Sequence, residues 1–257
     1  MTEFPPALAE VAHHLREAQE IAVLTGAGIS AESGVPTFRD AQTGIWAKYD
    51  PMQLATPEAF AADPKRVWEW YAWRRGLVAE AKPNPGHLAL ANLEGEVPAL
   101  TLITQNVDRL HHRAGSKNVV ELHGNLEEDR CSHENCVVRA DPSDNRTPPH
   151  CPRCEALLRP NVVWFGEALS PAALERSFNA AGNCDLFLCI GTSSLVYPAA
   201  DLPMEALNRG ATVVEINADP TPLSPHATYC LQGKAGTLLP AISALAFPAI
   251  TTNGSPA

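Results

Sequence analysis

Short unbroken runs of apolar residues recur along the chain at 20–26 (EIAVLTG), 99–106 (ALTLITQN), 118–124 (NVVELHG), 161–166 (NVVWFG), 184–193 (CDLFLCIGTS) and 211–217 (ATVVEIN). Continuous apolarity, as opposed to alternation with polar residues, is what a strand covered on both faces requires. Between these runs lie helical patterns at 6–19, 85–95, 170–182 and 198–210, several opening on Ser or Pro and closing on Gly. Strand and helix in alternation predict an α/β fold: a Rossmann-like, doubly wound, mostly parallel sheet with helices on both faces. Two stretches break the rhythm, a Trp- and Arg-rich helical segment and a polar segment carrying cysteines. The expected organisation is therefore a Rossmann-like domain from 1–45, 83–125 and 160–246, a smaller lobe from the helical insert 46–82 and the cysteine insert 126–159, and a flexible tail at 247–257.

Composition narrows the classes. Of 257 residues, 45% are hydrophobic and 19% charged, the balance of a globular enzyme and not of a disordered or fibrous chain. No apolar stretch approaches the roughly 18 residues that span a bilayer, and the first twenty residues lack the basic-then-apolar order of an export signal. A cytoplasmic protein without membrane association is expected. The net charge of −10 argues against a direct nucleic-acid binder and favours attraction of basic peptides.

The seven cysteines are an odd number for a disulfide framework. Cys131, Cys136, Cys151 and Cys154 form C-x4-C, fourteen residues, then C-x2-C, in Pro-rich polar sequence. That grouping resembles a zinc ribbon, in which metal replaces a hydrophobic core the segment is too polar to build. The first pair departs from the commoner x2 spacing, so His133 or His150 could stand in for a cysteine. Cys184, Cys189 and Cys230 read as buried core thiols.

The first strand runs into Gly26-Ala27-Gly28-Ile29-Ser30-Ala31, where small residues permit a sharp turn and close approach of backbone to a pyrophosphate. An isolated G-x-G-x-x-A also suits an ordinary strand-to-helix turn. The acid that a dehydrogenase places after its second strand is replaced here by the loop ESGVPTFRD, which points to a different cofactor arrangement. GAGISAESGVPTFRD at 26–40, TQNVD at 104–108, HG at 123–124, the two cysteine pairs, VVWFGE at 162–167, GTSS at 191–194 and VEIN at 214–217 stand in one order. From about residue 20 to 245 the sequence thereby resembles the sirtuins, NAD-dependent protein lysine deacylases.

The resemblance implies NAD as co-substrate, one structural zinc and acyl-lysine proteins or peptides as partners of a monomer. In the implied reaction the acyl oxygen attacks the anomeric carbon of the nicotinamide ribose. The products are nicotinamide, 2′-O-acyl-ADP-ribose and free lysine. His123 matches the catalytic histidine that deprotonates a ribose hydroxyl, a task suited to an imidazole; His111 and His112 read as solvated. Gly26, Ala27, Gly28 and Ser30 match the phosphate loop, with Phe38 shielding the reactive carbon and Arg39 near the phosphates. Gln105, Asn106 and Asp108 match the groups holding the nicotinamide ribose and carboxamide; Gly191, Thr192, Ser193 and Asn217 match phosphate and adenosine-ribose contacts. Ala235 matches a backbone contact to adenine. Val163, Phe165 and Val196 would flank the lysine tunnel, between two edges that take the peptide as an added strand.

Tyr71 and Arg74 are three apart on a predicted helix and share a face, with Arg75 on the neighbouring side. A phenol and a guanidinium can grip a carboxylate together. This stretch, with the small Ala55, resembles the subclass that removes succinyl, malonyl or glutaryl groups, so acidic acyl groups are expected to be favoured with acetyl also accepted. The alternative is a protein ADP-ribosyltransferase using the same NAD pocket, which an intact His123 disfavours. A zinc-ribbon nucleic-acid module is disfavoured by the acidic EEDRCSHEN.

Overall fold

The computed structural model describes residues 7–36 and 53–248. Its centre is a six-stranded sheet in the order β3-β2-β1-β7-β8-β9, formed by β1 (Glu20–Thr25), β2 (Ala99–Thr104), β3 (Val119–Glu121), β7 (Leu186–Ile190), β8 (Thr212–Asn217) and β9 (Tyr229–Gln232), every neighbouring pair parallel. The register sets Ile21 of β1 against Leu100 on one side and Leu186 on the other.

Successive side chains of a strand point to opposite faces, and β1 shows why its run is unbroken. Ile21 and Val23 enter a cluster with Leu8, Val11 and Leu15 of α1 (Ala7–Glu17), Leu90 and Leu93 of α5 (Pro85–Glu96), and Leu238 and Ile242 of α9 (Ala235–Ala246). Ala22 and Leu24 enter the opposite cluster with Phe187, Ala181 of α7 (Pro171–Asn183), and Leu202 and Ala206 of α8 (Leu202–Asn208). Truncating one such fully buried leucine to alanine would cost about 2–5 kcal/mol. Among the described residues, no helix is long and apolar enough to cross a membrane.

The run at 161–166 does not join the parallel sheet. Its strand, β6 (Leu158–Val162), lies at the edge of a separate antiparallel sheet in the order β5-β4-β6, with β4 (Gly124–Cys131) and β5 (Val137–Val138). Arg159 and Asn161 interrupt its apolarity, and Pro160, which lacks an N–H, suits an edge position. Gly124, at φ +70, turns the chain out of the first sheet into the second. β4 starts and β6 ends across the expected limits of the cysteine insert, so both inserts are rooted in this second sheet.

The helical insert contains α3 (Pro57–Ala62) and α4 (Pro64–Glu80), opened by Thr56 and Asp63 side chains that accept backbone N–H bonds from Ala59 and Arg66. Its Phe60, Val67, Trp70 and Tyr71 pack with Leu126 and Val162 of the second sheet and with Trp164 just beyond it. Cys184 and Cys189 are buried, as expected, but Cys230 is exposed. It occupies an outward position of edge strand β9, whose neighbour Leu231 faces the core.

Candidate active site

The sheet order reverses between β1 and β7, and the crevice beyond their C-terminal ends is where open α/β sheets bind ligands. Gly26 follows β1 and leads into α2 (Ala27–Ala31), and Gly191 follows β7. The two loops are fastened together: Gly26 N–H donates to the Ile190 carbonyl at 3.0 Å and Gly28 N–H to the Gly191 carbonyl at 2.8 Å. Gly191 has φ +60, and a Cβ there would stand 2.4 Å from the Ile29 nitrogen. Replacing Gly191 by Ala is therefore expected to cost about 2 kcal/mol or more and to weaken NAD binding, read by thermal melting and cofactor titration. A variant with wild-type melting and affinity would refute the close-packed cradle.

A cavity of about 790 Å³ opens here, and Gly26, Ala27, Gly28, Gln105, Asn106, His123, Gly191, Thr192, Ser193 and Asn217 all line it. Side chains knit the strand ends together. Gln105 Nε2 donates to Thr192 Oγ1 at 3.0 Å, Asn217 Nδ2 to the Thr192 carbonyl at 2.7 Å, and Asn106 Nδ2 to the Gly26 carbonyl at 3.0 Å. Ser30 and Asp108 are buried, Ser30 Oγ donating to Asp108 Oδ2 at 2.7 Å while Leu110 N–H donates to Oδ1 at 2.9 Å. Burial holds the Asp108 carboxyl above the usual carboxylate range, and these two bonds offset only part of that rise. Ala235 begins α9, buried among core residues and not among those that line the cavity. Phe38 and Arg39 lie outside the described residues.

His123 stands just past β3, half-buried on the cavity wall. Its Nδ1 is 3.0 Å from the Gln105 carbonyl oxygen. A carbonyl can only accept, so Nδ1 carries the hydrogen, and Nε2 of the neutral ring keeps its lone pair. Burial lowers the pKa below that of an ordinary imidazole, against the opposing effect of the Gln105 bond. The neutral, proton-accepting form thus persists to lower pH.

His111 is not solvated. It lies 1% exposed in α6 (Leu110–Ala114), with Nε2 2.9 Å from Thr25 Oγ1 and its ring centre 4.8 Å from that of His87. Burial pushes its pKa down to about 3, so it is a neutral structural group beneath the sheet's end. His112 is half-buried, 3.4 Å from Glu121.

The same cavity is also lined by Ala55, Tyr71, Arg74, Val163, Phe165 and Val196. Tyr71 is 2% exposed, and the Arg74 guanidinium lies 5.5 Å from the centre of its ring and 5.0 Å from that of Trp70. Burial raises the pKa of Tyr71 and lowers that of Arg74, while each opposes the shift in the other. Arg75 turns elsewhere, to Asp129 at 2.6 Å. Trp164, which lines the cavity too, is a residue that sequence reasoning passed over between Val163 and Phe165. Phe165, Leu195, Val196 and Tyr197 are exposed apolar residues, the last 70% exposed.

In the cysteine insert, the sulfurs of Cys131, Cys151 and Cys154 lie within 4.8 Å of one another, Cys131 and Cys151 being buried. Cys136 is not in this group. Its backbone carbonyl accepts from Cys131 N–H at 2.9 Å, while its thiol sits 3.5 Å from Glu134 Oε2 and from Arg153 Nη1. His133 and His150 are outside the group as well. Three converging thiols fit a structural zinc site, which takes four ligands in a tetrahedron.

The model of the Sir2 family matches residues 26–198. An NAD-dependent protein deacylase of Methylococcus capsulatus is 53% identical over 239 residues, covering 90% of this chain and 94% of its own. A Sir2 homologue solved as an ADP-ribose complex superposes with a TM-score of 0.87 at 45% identity, covering 92% of this chain and 95% of the other. A Sir2 structure with a p53 peptide and NAD+ gives 0.80 at 34% identity, covering 91% and 95%.

Proposed function

The chain belongs to the Sir2 family, and from that premise we propose that this NAD-dependent protein deacylase favours acidic acyl groups, removing succinyl and malonyl from lysine and accepting acetyl as well. The observation that carries the preference is the pairing of Tyr71 and Arg74 on the cavity wall beside the small Ala55. A guanidinium and a phenol hydroxyl side by side can grip a carboxylate together, with a charge-assisted bond from the first and a hydrogen bond from the second, and the end of an acidic acyl chain brings such a group.

Bound NAD supplies an electrophilic ribose carbon and nicotinamide as the leaving group. Gly26 to Gly28 and Gly191 to Ser193 offer backbone and hydroxyl groups to the nucleotide, and Gln105 and Asn106 orient its nicotinamide end. His123 Nε2 accepts the proton of a ribose hydroxyl, its ring held by the Gln105 carbonyl. The substrate backbone would pair as an added strand between 162–167 and 194–198, with exposed Phe165 and Val196 beside the lysine stem. Mass spectrometry of acetyl-, malonyl- and succinyl-lysine versions of one peptide, incubated with enzyme and NAD, tests the reading. Faster removal of the acidic groups is expected; acetyl removal alone would refute it.

Cys131, Cys151 and Cys154 would hold the structural zinc, with Cys136 completing the set after its side chain turns. Metal binding and folding of such a segment are coupled. Chelation is therefore expected to lower the melting temperature and change the fluorescence of Trp68, which packs on this cluster. An unchanged melt after verified zinc loss would contradict the assignment.

A further inference from the structure

Trp164 is 3% exposed and unusually well fixed. The Arg159 guanidinium lies over its ring, Cζ 3.5 Å from the centroid, and Phe60 packs at 5.3 Å. Arg159 is itself buried and held by Glu167, with Nη1 and Nη2 donating to the two carboxylate oxygens at 2.6 and 2.7 Å. The same carboxylate accepts the Trp164 backbone N–H at 2.8 Å. Phe165 N–H donates to the Ala55 carbonyl at 2.9 Å, and Val163 N–H to the His123 carbonyl at 2.9 Å. The indole is thus anchored from below, from the side and through its own backbone.

So held, Trp164 Nε1–H donates to the Tyr71 hydroxyl oxygen at 2.9 Å. Arg74 approaches that oxygen too. A phenol offers acceptor lone pairs and a single hydrogen. With N–H donors on the acceptor side, the Tyr71 hydrogen is left for a third partner, and Tyr71, Arg74, Ala55 and Trp164 all line the cavity.

We infer that Trp164 is a specificity-determining positioning residue: its indole N–H, braced by Arg159 and Glu167, orients the Tyr71 hydroxyl to donate to the carboxylate of an acidic acyl group. This rests on the acidic-acyl reading given above. Acetyl-lysine has no carboxylate at that end, so the hydrogen bond from Trp164 bears on it far less.

The test is a double-mutant cycle of Trp164→Phe and Tyr71→Phe, with kcat and KM measured for succinyl- and acetyl-lysine versions of one peptide at saturating NAD. Phe keeps an aromatic ring on Arg159 and Phe60 and removes the N–H. Trp164→Phe is expected to raise the succinyl KM about tenfold more than the acetyl KM, the scale of a hydrogen bond to a charged group. In the Tyr71→Phe background it should no longer change that ratio. Glu167→Gln loosens the brace without altering the indole, and must shift the ratio in the same direction even if Trp164→Phe fails to fold. Equal effects on both peptides, or an undiminished shift without the Tyr71 hydroxyl, would overturn the inference. Arg74→Met in parallel separates the two levels. If it shifts the ratio and Trp164→Phe does not, the acidic-acyl reading stands and this inference falls; if Arg74→Met leaves the ratio unchanged, both fall.

Discussion

Replacing His123 by Ala is expected to reduce NAD-dependent deacylation by about 10³-fold, within the range for removing a general base, while circular dichroism and melting temperature stay near wild type. The fold should survive because, among the described residues, the imidazole makes a single hydrogen bond, to the Gln105 carbonyl, and is half-buried at the cavity wall instead of in a hydrophobic cluster. The pH profile supplies a second reading of the same residue. The folded-state pKa lies below the ordinary 6.5, so the ring stays neutral and able to accept a proton as pH falls past that value. The acidic limb of kcat/KM should therefore fall below pH 6.5, with activity lost only as pH passes down through the depressed value. Retained turnover in His123→Ala, or an acidic limb well above the usual imidazole range, would remove this group from its role.

The second large effect concerns Arg74. Met at this position keeps much of the aliphatic stem against Trp70 and Tyr71 and deletes the charge. Leaving a substrate carboxylate without its charged partner should lower kcat/KM for succinyl-lysine about 100-fold, an effect of the size seen when one member of a buried ion pair is removed. Acetyl-lysine should suffer much less, since it brings no charge to be paired. Steady-state assays of the two peptides at saturating NAD decide it; equal losses would mean that Arg74 supports the helix or the cavity generally and does not grip the acyl end.

How legible each feature was follows from how local its cause is. β1, β2, β7 and β8 announce themselves because each is covered by helices on both faces, so that apolar residues on both sides of the strand enter a core cluster. β9 and the helix after it were not among the predicted elements. An edge strand reading YCLQ lacks the apolar run, and α9 has no side-chain N-cap and carries Pro240 inside it. The 161–166 run looked like a member of the main sheet because its Val162 and Trp164 are apolar for burial against α3 and α4, partners that only the tertiary fold supplies. Candidate residues such as His123 and the Gly26 loop could be located from ordered motifs. The environments of His111 and Trp164 could not, since both depend on contacts made across long stretches of chain: Thr25 with His111, Tyr71 with Trp164. The sulfur positions were likewise only half visible: spacing groups four cysteines, while rotamers bring three together.

The seam between the two glycine loops also bears on the order in which the molecule can assemble. Gly28 and Gly191 are bonded main chain to main chain although 191 − 28 = 163 positions separate them. Non-local contacts of this kind are slow to form. During synthesis, α3, α4 and the whole antiparallel sheet have emerged before β7 exists, so the nascent chain can build its outer lobe while the dinucleotide crevice still lacks one bank. Completion of the central sheet and competence to capture the co-substrate are then one event, reached late, and a chain halted ahead of residue 186 would possess His123, Tyr71 and Arg74 yet have nowhere to seat the nucleotide.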